Sequence, residues 1–371
     1  MASRVRVLVV DDSVVVRRVL SDIISSDPDL EVVGTAATAP IALQKLPQLT
    51  PDIVVLDVEM PEMDGIEAAR RIRAGWPRLP ILMCSTLTAR GADVTLQALS
   101  AGASDYVSKP TSIGARDAGD ALQVFKESLI PKLKALTTGR ARELLATRPP
   151  EPTPSPPRVL SSSRSRLVTP VSVIAIGSST GGPNALAEVF RHLPANIGVP
   201  IVVVQHMPPL FTRMLAERLT TGSAIPVKEA QDGDELLPGQ GYIAPGDYHV
   251  HLVRDRHAVR VSLGQEAPEN SCRPAVDVTF RSLASIYGPG VLGAVLTGMG
   301  QDGTRGARAI VEAGGIVIVQ DRETSVVASM PMSVAAAGLA EASYPLHEIG
   351  GELATRAWRS RAKASLMKVA P

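Results

Sequence analysis

The sequence predicts an α/β protein built from two doubly wound parallel-sheet domains. Three observations predict it. Short, continuous runs of Val, Ile and Leu recur along the chain, with helical spacing between them. Strands that are apolar throughout, rather than alternating, belong to sheets covered on both faces. A proline- and serine-rich stretch interrupts this pattern near the middle. Finally, acidic, hydroxyl, basic and glycine-rich residues follow directly on the apolar runs, where an open parallel sheet gathers its functional groups.

In residues 1–133, VRVLVV (5–10), EVVGT (31–35), DIVVLD (52–57), ILMCS (81–85) and DYVS (105–108) read as five strands. Residues 14–26 and the other intervening stretches read as helices. Residues 134–169 change character, with PPEPTPSPP (149–157) and SSSRSR (161–166). Lys134, Arg140, Arg142, Arg148, Arg158, Arg164 and Arg166 face only Glu143 and Glu151 there. This is expected to be a linker, semi-rigid where proline dominates, with solvated charges. Residues 170–371 open a second α/β series. VSVIAIG (171–177), VPIVVVQH (199–206), VLGAVLTG (291–298) and GIVIVQ (315–320) are expected as buried strands, with a helix starting near Pro183. GQGYIAPG (239–246), 249–253 and 257–262 are expected to form a β-rich insertion. The tail beyond about 345 reads as a basic amphipathic helix packed on the domain surface.

A length of 371 residues suits about two or three domains. With 45% hydrophobic and 20% charged residues, the chain has globular rather than disordered composition. Its 38 basic and 37 acidic residues leave no basic excess for nucleic acid, and 3% aromatics offer little for base stacking. Cys84 and Cys272 lack metal-ligand spacing and read as reduced thiols of a cytoplasmic protein. No apolar run is long enough to span a membrane, and the N-terminus lacks a signal-peptide layout. An integral membrane protein is therefore not expected.

Asp11 and Asp12 follow the first strand, and Asp57 ends the third. Strand-end placement gathers these carboxylates into one crevice, where a hard cation such as Mg²⁺ would offset their repulsion. Ser85 follows the fourth strand and Lys109 the fifth. Carboxylates, a magnesium ion, a hydroxyl and an ammonium together suit a phosphoryl group. VLVVDDS, VVLDVEMPEMDG and YVSKP make residues 1–133 resemble the receiver domain of two-component response regulators, a flavodoxin-like fold. The resemblance implies that Asp57 accepts phosphate from a histidine kinase. It implies that Asp11, Asp12, Asp57 and the Glu59 carbonyl hold Mg²⁺, that Ser85 and Tyr106 are the switch residues, and that Lys109 contacts the phosphoryl group.

In the second domain, Gly177–Pro183 (GSSTGGP) links a strand to a helix. Such a turn can cradle a phosphate, hold a nucleophilic serine beside backbone N–H groups, or serve turn geometry alone. A P-loop would need a Gly-Lys-Ser/Thr end, which is missing here. The next strand ends in His206 where a dinucleotide site usually carries an acid, which favours a serine with a base. The third partner should be a carboxylate at a strand end. Asp302 fits, with Asp277 and Asp321 as rivals.

IAIGSSTGGP, VVVQHMPPLFTRMLAERL, GYIAPGDYHV, RPAVDVTFRSLA, LTGMGQDG and TSVVASMPMSV resemble the chemotaxis protein-glutamate methylesterase/glutaminase family. That likeness implies a Rossmann-like catalytic domain with a β-hairpin insertion. It implies Ser179 as nucleophile, His206 as base and Asp302 as its orienter. Thr180 and Met299 would lie beside the site, with the Met299 N–H in the oxyanion hole. Methyl-accepting chemotaxis receptors would be the substrate and a chemotaxis histidine kinase the phosphodonor. The esterase chemistry would need no cofactor, and the unphosphorylated receiver would cover the crevice. Ser178 stands where alanine is common, Gln301 where asparagine is common, and Cys272 where histidine is usual.

Overall fold

The structure, a computed structural model, describes residues 4–86, 88–109, 118–145, 169–256 and 258–369. The chain divides into two compact units, Met1–Glu151 and Pro152–Pro371.

In chain order the first unit contains β1 (Val5–Val10), α1 (Val14–Ser25), β2 (Leu30–Ala36), α2 (Ala39–Leu49) and β3 (Ile53–Asp57). It continues with α3 (Gly65–Gly75), β4 (Ile81–Ser85), α4 (Ala89–Ser100), β5 (Asp105–Ser108) and α5 (Ala118–Leu145). The parallel sheet has the order β2-β1-β3-β4-β5, the flavodoxin-like arrangement. Val7–Val10, Ile53–Leu56 and Ile81–Cys84 are wholly buried, as strands covered on both faces must be. Ser13, Asp64 and Thr88 start α1, α3 and α4 by accepting hydrogen bonds from first-turn N–H groups. A Cβ at Gly65 would collide with the Asp57 backbone, so glycine lets α3 start against the end of β3.

The boundary expected after residue 133 falls inside α5. Leu133, Leu136 and Thr137 are buried, so the helix keeps a packed face beyond that point. Lys134, expected in solvent, bonds Asp27 at 2.8 Å and Asp29 at 2.7 Å. The proline-rich part of the expected linker lies outside the described residues, as do Arg148, Arg158, Arg164 and Arg166.

The second unit begins with β6 (Val173–Ser178), α6 (Gly182–Arg191), β7 (Ile201–Gln205), α7 (Phe211–Gly222), β8 (Val227–Glu229) and β9 (Gly241–Ile243). Next come β10 (His249–Asp255), β11 (Ala258–Gly264), α8 (Val276–Tyr287), β12 (Val291–Val295) and α9 (Thr304–Glu312). The last elements are β13 (Ile316–Gln320), α10 (Ser329–Ala336), β14 (Ala342–Tyr344) and α11 (Leu346–Val369). Seven strands form a parallel sheet in the order β14-β13-β12-β6-β7-β9-β8. The chain winds outward from β6 in both directions, which makes the ends of β6, β7 and β12 the topological switch point.

The expected insertion is smaller than the sequence suggests. β10 and β11 form an antiparallel hairpin, whereas β9 belongs to the main sheet beside β7. Tyr242 and Ile243 are fully buried there, but a three-residue strand is too short to show a pattern. The tail helix α11 packs on α6 through its first turns, with Ile349, Leu353 and Ala357 buried. Arg356 anchors it to Glu341 at 2.6 Å and pairs within the helix with Glu352 at 2.7 Å. Among the described residues no helix is long and apolar enough to cross a membrane.

Candidate active site

Ser178 and Gln205 are register partners on β6 and β7, so Ser179 and His206 leave adjacent strand ends side by side. The Gln205 amide ties the two ends together. Its Oε1 accepts from Ser178 Oγ at 2.7 Å, and its Nε2 donates to Ser179 O at 2.9 Å and His206 O at 3.2 Å. Ser178 is therefore fully buried and engaged, while Ser179 is partly exposed. From the other side, Ser179 N donates to Thr297 O at 3.0 Å, just beyond β12. A Cβ at Gly298 would come within 2.9 Å of Ser179 Cβ, so glycine is needed for this approach. Among the described residues, the backbone N–H groups of Thr180 and Met299 have no hydrogen-bond partner.

The His206 ring is held at both nitrogens. Nε2 lies 2.8 Å from Asp302 Oδ2, and Nδ1 lies 3.4 Å from Cys272 Sγ. Asp302 is itself fixed by N–H groups: Val276 N donates to Oδ2 at 2.6 Å, and Asp277 N and Gly303 N donate to Oδ1 at 3.0 and 2.9 Å. Burial works to lower the His206 pKa, but Asp302 and Cys272 outweigh it and raise it to about 10. Burial works to raise the Asp302 pKa, but His206 and the backbone donors hold it down to about 2. Among the described residues the Ser179 hydroxyl makes no hydrogen bond to the ring; Cys272 takes that nitrogen.

Neither rival carboxylate bonds His206. Asp277, on α8, accepts from Gly306 N at 2.6 Å. Asp321 closes a local turn by accepting from Thr324 N at 2.9 Å.

In the first unit, Asp11, Asp12 and Asp57 each place a carboxylate oxygen within 4.8 Å of the others. Lys109 Nζ reaches Asp11 Oδ2 and Asp57 Oδ1, both at 2.7 Å. The Asp57 pKa is raised to about 6: burial and the Asp11 charge push it up, and Lys109 only partly offsets them. A cavity of about 300 Å³ opens here, lined by Asp12, Asp57, Glu59, Ser85, Thr86 and Lys109 among others. The all-oxygen donor set suits a hard divalent cation. Ser85 is buried and donates to Gly91 O at 3.0 Å. Tyr106 is buried beneath Lys132, whose Nζ stands 5.0 Å from the ring centroid.

A family model described as CheB methylesterase matches residues 174–353, and one described as response regulator receiver domain matches residues 7–115. A protein-glutamate methylesterase/protein-glutamine glutaminase from a Nocardioides species is 51% identical over 364 residues, covering 96% of each chain. The chain belongs to the protein-glutamate methylesterase/protein-glutamine glutaminase family. A protein of the same name from Trichodesmium erythraeum is 47% identical over 351 residues, covering 95% of this chain and 98% of that one. The crystal structure of the Thermotoga maritima CheB methylesterase catalytic domain is 47% identical, with a TM-score of 0.49, covering 50% of this chain and 97% of that one.

As a methylesterase-family hydrolase with an attached receiver domain, the chain keeps the motifs quoted from its sequence. Sequence reasoning reads both cysteines as reduced thiols and does not give the contact between Cys272 and the His206 ring. It also missed Gln205 and Asn270, whose Nδ2 donates to Asp302 Oδ1 at 2.8 Å, as supports. The Gln-His pair at a strand end and the Asn-Ser-Cys turn were the available signals.

Proposed function

We propose that this enzyme hydrolyses glutamate methyl esters on methyl-accepting chemotaxis receptors, and deamidates glutamines there, through Ser179, His206 and Asp302. The observation that carries the reading is the 2.8 Å bond from His206 to a buried Asp302, with Ser179 on the adjoining strand end. In this reading the Ser179 hydroxyl takes the place of the Cys272 thiol at Nδ1. Ser179 then attacks the ester carbonyl as His206 takes its proton. Asp302 fixes the tautomer with hydrogen on Nε2 and steadies the imidazolium. In this reading the unpartnered Thr180 and Met299 N–H groups bind the oxyanion, such donors being worth roughly 3–4 kcal/mol each. Methanol leaves with the proton from His206, and water hydrolyses the acyl-enzyme by the same route. The test is methanol release from methylated receptor membranes: Ser179→Ala should abolish it in a folded protein, and full activity in that variant overturns the reading.

The receiver domain supplies the control. Asp57 accepts a phosphoryl group from a chemotaxis histidine kinase. Asp11, Asp12, Asp57 and the Glu59 carbonyl are the groups that would hold Mg²⁺, which when bound neutralises the phosphoryl charge. Lys109 meets the phosphoryl oxygens, and Ser85 and Tyr106 respond to the new charge. In this reading the unphosphorylated receiver inhibits the esterase. A small phosphodonor should stimulate the full chain but leave Asp57→Asn at the basal rate. Equal stimulation of both excludes Asp57 as the acceptor.

A further inference from the structure

The two groups that define the base, the His206 ring and the Asp302 carboxylate, are both met by one four-residue turn. Glu269 N donates to Cys272 O at 3.1 Å and Cys272 N to Glu269 O at 3.0 Å, closing a tight two-residue reversal. Its central residues, Asn270 and Ser271, have φ of 53° and 60°. Two successive positive φ values define a type I′ turn, in which asparagine is favoured at the first position. The turn sets Cys272 against the ring and Asn270 against the carboxylates.

Asn270 does more than satisfy the turn. Its Nδ2 donates to Asp302 Oδ1 at 2.8 Å and to Asp277 Oδ2 at 3.0 Å. Its Oδ1 accepts from Arg305 Nη2 at 3.1 Å. A cation on the oxygen side and two carboxylates on the nitrogen side fix the orientation of the amide. Asp277 and Asp302 are both buried, so their repulsion is little screened. The Asp277 pKa is raised, by burial first and then by Asp302, against its hydrogen bonds. An uncharged donor between them relieves the repulsion without protonating either. The turn is braced behind by Glu269, which pairs with Arg281 at 2.7 Å and Arg305 at 3.0 Å.

We infer that Asn270 is a positioning residue for the esterase reaction: its amide bridges Asp302 to Asp277 and thereby aims the Asp302 carboxylate at His206. The inference rests on the Ser179–His206–Asp302 reading. A misplacement of this kind costs on the order of a hundredfold in rate. Asn270→Gly keeps a residue that accepts positive φ and removes the amide. In the full-length enzyme it should lower kcat for methanol release roughly ten- to a hundredfold, with KM within about twofold, because the amide is engaged by Asp302, Asp277 and Arg305. The downfield Nε2–H resonance of His206, followed with ¹⁵N-histidine, should shift or broaden in the same variant. Asn270→Asp, close in size and tolerant of positive φ, replaces the donor by a third carboxyl and should lose as much activity or more; it serves also if the glycine variant does not fold. Wild-type kcat and an unmoved resonance in Asn270→Gly, or in Asn270→Asp if that variant alone folds, make Asn270 a turn residue only and overturn the inference. Ser179→Ala measured alongside separates the cases: retained activity there condemns the triad reading itself, whereas its loss beside an unaffected Asn270→Gly condemns only the bridge.

Discussion

His206 Nε2 and Asp302 Oδ2 lie 2.8 Å apart, although β6 and its following turn separate the two strands that carry them. The bond crosses the switch point of the sheet, and its carboxylate is held by three backbone N–H groups besides. The pair therefore has a pH signature. A histidine whose pKa is raised from 6.5 to about 10 adds stability that is complete below 6.5 and lost as pH climbs through about 10. An aspartate lowered from 3.8 to about 2 adds stability that is complete above 3.8 and lost as pH falls through about 2. Asp302→Asn should therefore destabilise the catalytic domain most between about pH 4 and 6.5, with the deficit shrinking towards pH 10. Thermal unfolding of both proteins across that range checks it.

Catalysis should show the opposite slope. His206 accepts a proton only when uncharged, so methanol release should rise with pH towards the raised His206 value. Cys272 is one cause of that rise in pKa. Cys272→Ala should move the ascending limb to lower pH while keeping the maximal rate within a few-fold. A pH–rate profile reads both quantities, and loss of all activity would transfer the nucleophile's role to the thiol.

The two serines of the turn should behave differently. Ser178→Ala leaves the buried Gln205 Oε1 without its 2.7 Å donor, which should cost about 1–3 kcal/mol of stability and leave methanol release measurable. Ser179→Ala should change stability little and abolish turnover. Denaturant titration beside the activity assay distinguishes them.

The cysteines should label unequally. Cys84 is buried and its pKa is pushed far up, chiefly by burial. Cys272 is partly exposed and touches the His206 ring. Iodoacetamide should modify Cys272 first and inactivate the esterase in step with that modification, as followed by peptide mass spectrometry.

In the receiver, Lys109→Ala removes the ammonium shared by Asp11 and Asp57 and leaves two buried carboxylates facing each other. The receiver transition should weaken by roughly 3–5 kcal/mol. Added Mg²⁺ should restore part of that loss, and less of it when Asp12 is also changed to asparagine. Calorimetry with and without Mg²⁺ tests this.

Much of the framework was legible because strand cores such as Val7–Val10 and Val173–Ile176 are apolar on both faces and leave an unbroken imprint. β8, β9 and β14 are three residues each and leave none. The end of α5 was hidden because its buried positions, Leu133 and Leu136, sit among basic residues. At the site, Ser179, His206 and Asp302 announce themselves by strand-end position. Cys272 and Asn270 do not, because they sit on a turn whose partners, His206 and Asp302, are distant in sequence. Only the folded chain shows which loop faces which strand end.

The Gln205 amide that staples β6 to β7 has a consequence for heat. Because the spacing between Ser179 and His206 is set by the ladder and by Gln205, no softer local event should precede failure of the sheet. Activity on warming should persist up to the melting of the catalytic unit and vanish together with it.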